Sequence, residues 1–395
     1  MTERRRRKSS VVMLGLRGIN GPQGGVETHV GALAPLLVER GWSIDVLARQ
    51  TYMPGGRQSF RGVGIEPIWS PRSSKFEALV HTGLGVGLAA LRRPDIVHIH
   101  AVGPALLTPA ARLAGLKTLV THHGYDYDRD KWGRIAKEIL RLGEKMGMHW
   151  ADAAVAVAEN VARDMEARYG RRVHFQPNGV FMPGGPLGSD ILRQFDLQPG
   201  RYVLNVSRLV PEKRQLDLVA AYSRLVSPDF KLVLVGGADH RSDYETRLRQ
   251  AATAVPGIVM TGYQKGAALN DLFAHAGLFV LPSSHEGMPI ALLEGLSHGT
   301  PVLASDIAAN LGVGLEARHY FPLGDIEGLA QRMAHIMSAA PLPVERMAQI
   351  EMVRHRFSWD GVADDLSALY AAMMRRGPSR GPVLIRAAQS RSMTK

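Results

Sequence analysis

At 395 residues, with 45% apolar and 21% charged residues, the chain is too long for one ordinary core and reads as a globular protein of two domains. It has no cysteine, which excludes disulfides and thiolate metal sites and suits a reducing, cytoplasmic compartment. The net charge of +12 calls for an anionic partner. With aromatics at only 6% and no zinc spacing or aromatic-interleaved basic motif, no nucleic-acid partner is expected, which leaves a phosphorylated ligand or an acidic membrane surface.

Along the chain, the basic run Arg4-Arg5-Arg6-Arg7-Lys8 precedes an apolar stretch at 11–16 that is too short for an export signal and reads as a first strand. The apolar stretches 82–91 and 151–158 are too short to span a bilayer. Gly24-Gly25-Val26-Glu27 opens a helix expected over 26–40, where paired glycines admit close backbone approach by a ligand or merely turn the chain. Gly41 stops this helix, and Pro35 within it predicts a kink. Further strands are expected at 44–48, 96–100, 118–121, 153–157 and 173–176. Thr121-His122-His123-Gly124 ends one of them, with structural and functional readings of the histidines evenly balanced.

Asp126-Tyr127-Asp128-Arg129-Asp130 reads as a solvated acidic loop. Lys131 and Lys137 stand where an EF-hand needs glycine and glutamate; a D-x-D clamp on a metal diphosphate is the alternative, and no metal is expected. From Lys131 to Met146, apolar and basic residues alternate at helical spacing. Such a helix either packs its apolar face on the core or lies on an anionic membrane. A Gly/Pro-rich linker is expected at 183–188.

The strand–helix alternation then restarts, with strands at 202–206, 231–235, 258–261, 278–281 and 301–304. Arg208 and Lys213 bracket the turn after the first of these, placed to meet a diphosphate or else to stand as solvated surface charges. Gly236 and Gly237 end the next strand and admit a ribose or phosphate against the backbone. After the strand at 278–281 comes Ser284-His285-Glu286-Gly287-Met288-Pro289-Ile290, with a helix expected from Pro289 onward. Strand, loop and helix N-terminus together favour a phosphate, and Glu286 and Glu294, eight residues apart, offer carboxylates to two sets of sugar hydroxyls. A last helix is expected over 357–370, then a disordered basic tail.

In this order, Gly24 to Glu27, Asp95 to His100, Thr121 to Gly124, Pro177 to Val180, Ser207-Arg208 with Lys213, and Glu286 to Glu294 resemble family 4 glycosyltransferases of the GT-B fold, from residue 11 to about 370. The resemblance implies two Rossmann-like α/β domains, doubly wound and facing across a cleft, and retaining transfer from a nucleotide diphosphate sugar without a cofactor or metal. It implies that Arg208 and Lys213 neutralise the donor diphosphate, that Glu286 holds donor-sugar hydroxyls and Glu294 the ribose, and that Gly24, Gly25, Gly236, Gly287, Met288, Pro289 and Ile290 line the donor. His123 then stands beside the donor sugar and acceptor, with Arg208, Lys213 and Glu286 as the other catalytic residues.

The expected domains are a basic extension at 1–10, an acceptor-side domain at 11–183, a donor-binding domain at 184–354, a helix at 355–374 returning to the first domain, and a tail at 375–395. The acceptor is expected to be a glycan, lipid-linked, in bacterial surface polysaccharide synthesis. The protein is expected in the cytoplasm and peripherally on the inner membrane face, through residues 131–146 and the basic termini. The alternatives are a GT-B epimerase or phosphorylase and an inert scaffold of glycan machinery.

Overall fold

A computed structural model describes residues 8–19, 24–53, 55–72, 77–128, 132–184, 187–225, 229–237, 242–338 and 343–375. Arg4 to Arg7, Asp130, Lys131, Gly185 and Pro186 of the expected linker, and the tail past Arg375 lie outside the described residues. Contacts divide the chain after Pro177 and after Gly361, so that Val362 onward belongs with the first unit, where the sequence reading puts these junctions after 183 and 354.

Among the described residues, the first unit is built on eight strands: β1 (Ser10–Leu14), β2 (Ser43–Arg49), β3 (Gln58–Phe60), β4 (Val63–Ile68), β5 (Ile96–His100), β6 (Thr118–His122), β7 (Ala153–Ala156) and β8 (His174–Phe175). Their order is β3-β4-β2-β1-β5-β6-β7-β8, parallel throughout except for the β3–β4 hairpin. Strands buried on both faces read as continuous apolar runs, as Val11, Val12, Met13 and Leu14 do. Helices cover them: Val12, Leu14, Val97, Val120 and Met148 share one core cluster with Val86 and Ala89 of the helix Glu77–Arg92.

β1 ends two residues earlier than expected, at Leu14, because Gly15 turns away at φ 101°. The helix after β1, Gly25–Glu39, continues through Pro35, which is buried within it. The β3–β4 pair is absent from the sequence expectation, since Pro67 argues against a strand. Pro67 pairs with Ala48 of β2, and it is tolerated because β3 pairs only with Val63 to Ile65, so the ladder on that side ends before the proline.

The second unit carries β9 (Tyr202–Val206), β10 (Lys231–Val235), β11 (Ile258–Gly262), β12 (Leu278–Leu281), β13 (Val302–Ser305) and β14 (Tyr320–Phe321), all parallel, in the order β11-β10-β9-β12-β13-β14. Its core gathers Val203, Leu218, Leu232, Leu234, Val280, Leu303 and Leu329. Counted within the unit this is the 3-2-1-4-5-6 order of the Rossmann fold, and β1, β2, β4, β5, β6 and β7 repeat it in the first. Ligands in such sheets sit at the carboxyl ends of the strands where the winding reverses, here at β9/β12 and at β1/β5.

Candidate active site

At the reversal point of the second sheet, the loops leaving β9 and β12 are tied together. Ser284 N–H donates to the Glu212 carbonyl at 2.9 Å, and the Ser284 hydroxyl reaches the same oxygen at 3.3 Å. Beneath them runs a chain of buried polar groups. Tyr244 donates to Gln215 (2.8 Å), Gln215 to the Ser207 hydroxyl (2.8 Å) and the Arg208 carbonyl (2.7 Å), Ser207 to Asn205 (2.8 Å), and Asn205 to the Val280 carbonyl (2.9 Å). A satisfied network of this kind fixes the loop backbone while its charged residues stay at the surface. The short 3-10 turn Pro211–Lys213 ends on Arg214 in the left-handed region (φ 50°), a conformation that non-glycine residues hold only when their surroundings enforce it. The Arg214 side chain is held by Asp217, which accepts from its Nε at 2.6 Å.

On this frame Lys213 Nζ donates to Glu286 Oε1 at 2.5 Å, with side chains 15% and 11% exposed. Arg208 lies nearby with its guanidinium 4.0 Å from Glu212. Gly236 is required at the end of β10: its φ is 142°, and a Cβ would collide with the Ser207 carbonyl. The helix after the loop is Ile290–Ser297, and Pro289 is its N-terminal cap (φ −80°, ψ 87°) rather than its first helical residue, correcting the expected start. Met288 is buried, its carbonyl accepting from Asn178 Nδ2 at 3.2 Å and its sulfur from Asn178 N–H at 3.3 Å. Beside Asn178, Gly179 lies under Trp359, where a Cβ would stand 2.6 Å from the indole. The Pro-Asn-Gly-Val motif thus braces the loop that carries Met288, a role that sequence spacing does not disclose.

One turn into that helix, Glu294 is half-buried, and no donor reaches its carboxyl among the described residues. Burial pushes it up to about 7.

The first sheet carries a different chemistry at its own reversal point. His100 ends β5 and His123 follows β6, with His100 Nδ1 3.1 Å from His123 Nε2. Burial, followed by the neighbouring imidazoles, pulls both well below the usual histidine range, so both rings are neutral. His122 points the other way. Its Nδ1 accepts from Gly124 N–H at 3.2 Å, so its Nε2 carries the proton and donates to Glu144 at 3.0 Å. His122 therefore braces the turn that presents His123. Gly24 and Gly25 stand at the start of the first helix, and a Cβ on Gly25 would meet nothing within 4 Å among the described residues.

The helix Arg134–Trp150 buries Gly143, Glu144, Gly147 and Met148 and leaves Ile135, Ile139 and Leu142 exposed at 80%, 46% and 47%. No helix among the described residues is long and apolar enough to cross a membrane.

The model of Glycosyltransferase Family 4 matches residues 23–181, and that of Glycosyl transferases group 1 matches 200–339. The chain is 29% identical over 238 residues to an Escherichia coli UDP-Gal:alpha-D-GlcNAc-diphosphoundecaprenol alpha-1,3-galactosyltransferase, covering 55% of this chain and 59% of that relative, less than two thirds of its length. It is 26% identical over 373 residues to a phosphatidyl-myo-inositol mannosyltransferase of Mycolicibacterium smegmatis, covering 90% and 92%. Among solved structures, a sucrose-phosphate synthase from Thermosynechococcus elongatus superposes with a TM-score of 0.76 at 20% identity, over 92% of this chain and 99% of that one. The Anabaena HepE protein in complex with UDP gives 0.72 at 17%, over 92% and 100%. At these identities the structural likeness establishes the fold.

Proposed function

The chain belongs to the GT-B glycosyltransferases, with a family 4 first domain, and from that premise we propose that it moves a hexose-type sugar, with retention, from a nucleotide diphosphate sugar to a lipid-linked glycan acceptor. The observation that carries this reading is the Lys213–Glu286 pair at the reversal point of the second sheet, with the Glu294 carboxyl, which receives no donor among the described residues, one turn into the next helix.

Lys213 has three N–H donors, so it can keep Glu286 and still meet a phosphate. With Arg208 it neutralises the diphosphate as the sugar bond breaks, and stabilising that charge is the main catalytic lever. Glu286 then accepts from donor-sugar hydroxyls and Glu294 from the ribose diol. Gly287, Met288, Pro289 and Ile290 line the sugar and phosphates, and Gly236 lets the donor lie on the backbone. From the first domain, Gly24 and Gly25 offer backbone to the diphosphate. His123 attends the donor sugar and acceptor. The acceptor attacks the face from which the diphosphate leaves, and the diphosphate takes its proton, so the reaction needs no resident metal.

A lipid-linked acceptor is supported by the diphosphoundecaprenol in the E. coli relative's name, and work at the cytoplasmic membrane face by the exposed apolar edge of Arg134–Trp150. The test is a thermal-shift screen of nucleotide sugars followed by transfer assays with the one that binds. Lys213→Ala is expected to lower kcat by roughly 10²–10³-fold with the fold intact. Wild-type turnover in that variant overturns the reading.

A further inference from the structure

Among the described residues, His29, His100 and His123 form a cluster of potential ligands in the first domain. They come from three elements: His29 from the first turns of Gly25–Glu39, His100 from the end of β5, and His123 from the residue after β6. One nitrogen from each lies within 4.8 Å of the other two. Ring centroids are 4.9 Å apart for His29 and His123, 5.4 Å for His100 and His123, and 5.8 Å for His29 and His100.

We infer that these three histidines bind a single divalent cation of the zinc class and that loading it inhibits transfer by capturing His123. Two nitrogens bound to a tetrahedral zinc at 2.0–2.1 Å stand about 3.3 Å apart. The 3.1 Å between His100 Nδ1 and His123 Nε2 already matches one edge of that polyhedron, and His29 offers a third nitrogen within 4.8 Å of the other two. His100 Nε2 is buried with no hydrogen-bond partner among the described residues, so no bond on that side fixes the tautomer of the ring, and Nδ1 is the nitrogen it presents to the cluster.

The neighbours narrow the set. His98 stacks on His100 at 4.0 Å but is committed on both nitrogens, to Tyr370 and Thr121 at 2.7 Å each. His122 is committed to Glu144 and Gly124. Three imidazoles without a carboxylate select zinc, copper(II) or nickel over magnesium and calcium, which want oxygen ligands. His29 and His100 are buried and His123 is half-exposed, so the way in and the open fourth position are on the His123 side. Directly after His100, Ala101 sits at φ 72°, a costly conformation for a residue with a Cβ, where the chain leaves β5 beside the cluster.

The inhibitory clause rests on the role proposed above for His123; the binding clause does not. The experiment titrates metal-stripped protein with zinc chloride against a chromophoric chelator and records the visible spectrum with cobalt(II), which needs no variant. One tight equivalent and a tetrahedral cobalt spectrum are expected, unaffected by excess magnesium. His29→Gln and His100→Gln, each checked for folding by circular dichroism, are expected to weaken zinc binding at least about tenfold. Zinc is expected to inhibit transfer by the native protein and to spare the His29→Gln variant. Absence of a stoichiometric site, or zinc affinity unchanged in both variants, overturns the binding inference. Tight binding with undiminished transfer overturns the inhibition. Tight binding in a protein that transfers no sugar under any condition counts against the proposed function and leaves the site standing.

Discussion

Each domain encloses a carboxyl group, and the two are in opposite states. Glu144 is 1% exposed and receives four donors: His122 Nε2 at 3.0 Å, Tyr127 at 2.9 Å, Tyr169 at 2.8 Å and Arg168 at 3.0 Å. Burial alone would raise it, but the hydrogen bonds from His122, Tyr169 and Tyr127 hold it below the ordinary carboxylate range. Glu294 receives no donor among the described residues, and burial goes unopposed, leaving it near 7. A completed set of partners marks a structural joint. An acceptor without donors, at the end of a sheet where ligands bind, marks a place where a ligand supplies them.

The largest effect expected from this contrast is on folding. Glu144→Ala strips the acceptor from a buried histidine, two tyrosines and an arginine, and should cost about 3–5 kcal/mol, read from the urea midpoint of the transition that unfolds the first domain. A cost below about 1 kcal/mol would mean that water replaces the carboxylate and that Glu144 is no joint.

Glu294→Gln should act in the reverse sense. At pH 8 it removes a charged acceptor for two hydroxyls and should weaken nucleotide binding by about 1.5–3 kcal/mol, roughly tenfold or more, by isothermal titration. The same substitution should not destabilise the unliganded protein. The folded group sits at about 7 against an ordinary value of 4.5, so the folded state holds a proton that the unfolded chain has released. Its contribution to stability is therefore complete below pH 4.5 and is lost as pH rises toward 7, and the glutamine variant should lack that slope. Nucleotide affinity should rise with pH through 7 in the native protein and stay flat in the variant. A native affinity independent of pH between 6 and 8 would break the assignment.

The two halves of this contrast were unequally legible in the sequence. Strands 202–206, 231–235 and 278–281 appear with the bounds that their apolar runs indicate, and so the loop bearing Glu286 falls where expected. Lys213 and Glu286 were expected near one diphosphate; their direct ion pair was not, because it depends on the Glu212–Ser284 bond between two loops. The joint at Glu144 draws on residues 122, 127, 168 and 169, separations at which no helical or strand period operates. His29 is silent in the sequence for a similar reason: within a helical run, a lone histidine carries no signal until the fold brings β5 and β6 beside it. The β3–β4 pair was hidden by Pro67, whose tolerance depends on how short β3 is.

The smallest effect concerns the outer side of the helix that carries Glu144. Gly143 and Gly147 let it sit tightly on the short helix Val102–Ala105, where a Cβ at position 147 would stand 2.9 Å from that of Ala105. That contact uses one side of the helix and leaves Ile135, Ile139 and Leu142 in water, beside the exposed cations Arg134, Arg141 and Lys145. Apolar side chains flanked by cations complement an anionic lipid surface, each contributing roughly 1 kcal/mol as its area leaves water. Replacing Ile135, Ile139 and Leu142 with serine should therefore reduce sedimentation with anionic vesicles while leaving thermal stability and transfer to a water-soluble acceptor unchanged. If the apolar edge instead supports the core, the same variant should unfold at a lower temperature and bind vesicles as before. The stability and binding readouts move oppositely under the two readings because Gly143, Gly147 and Met148 already supply the buried face.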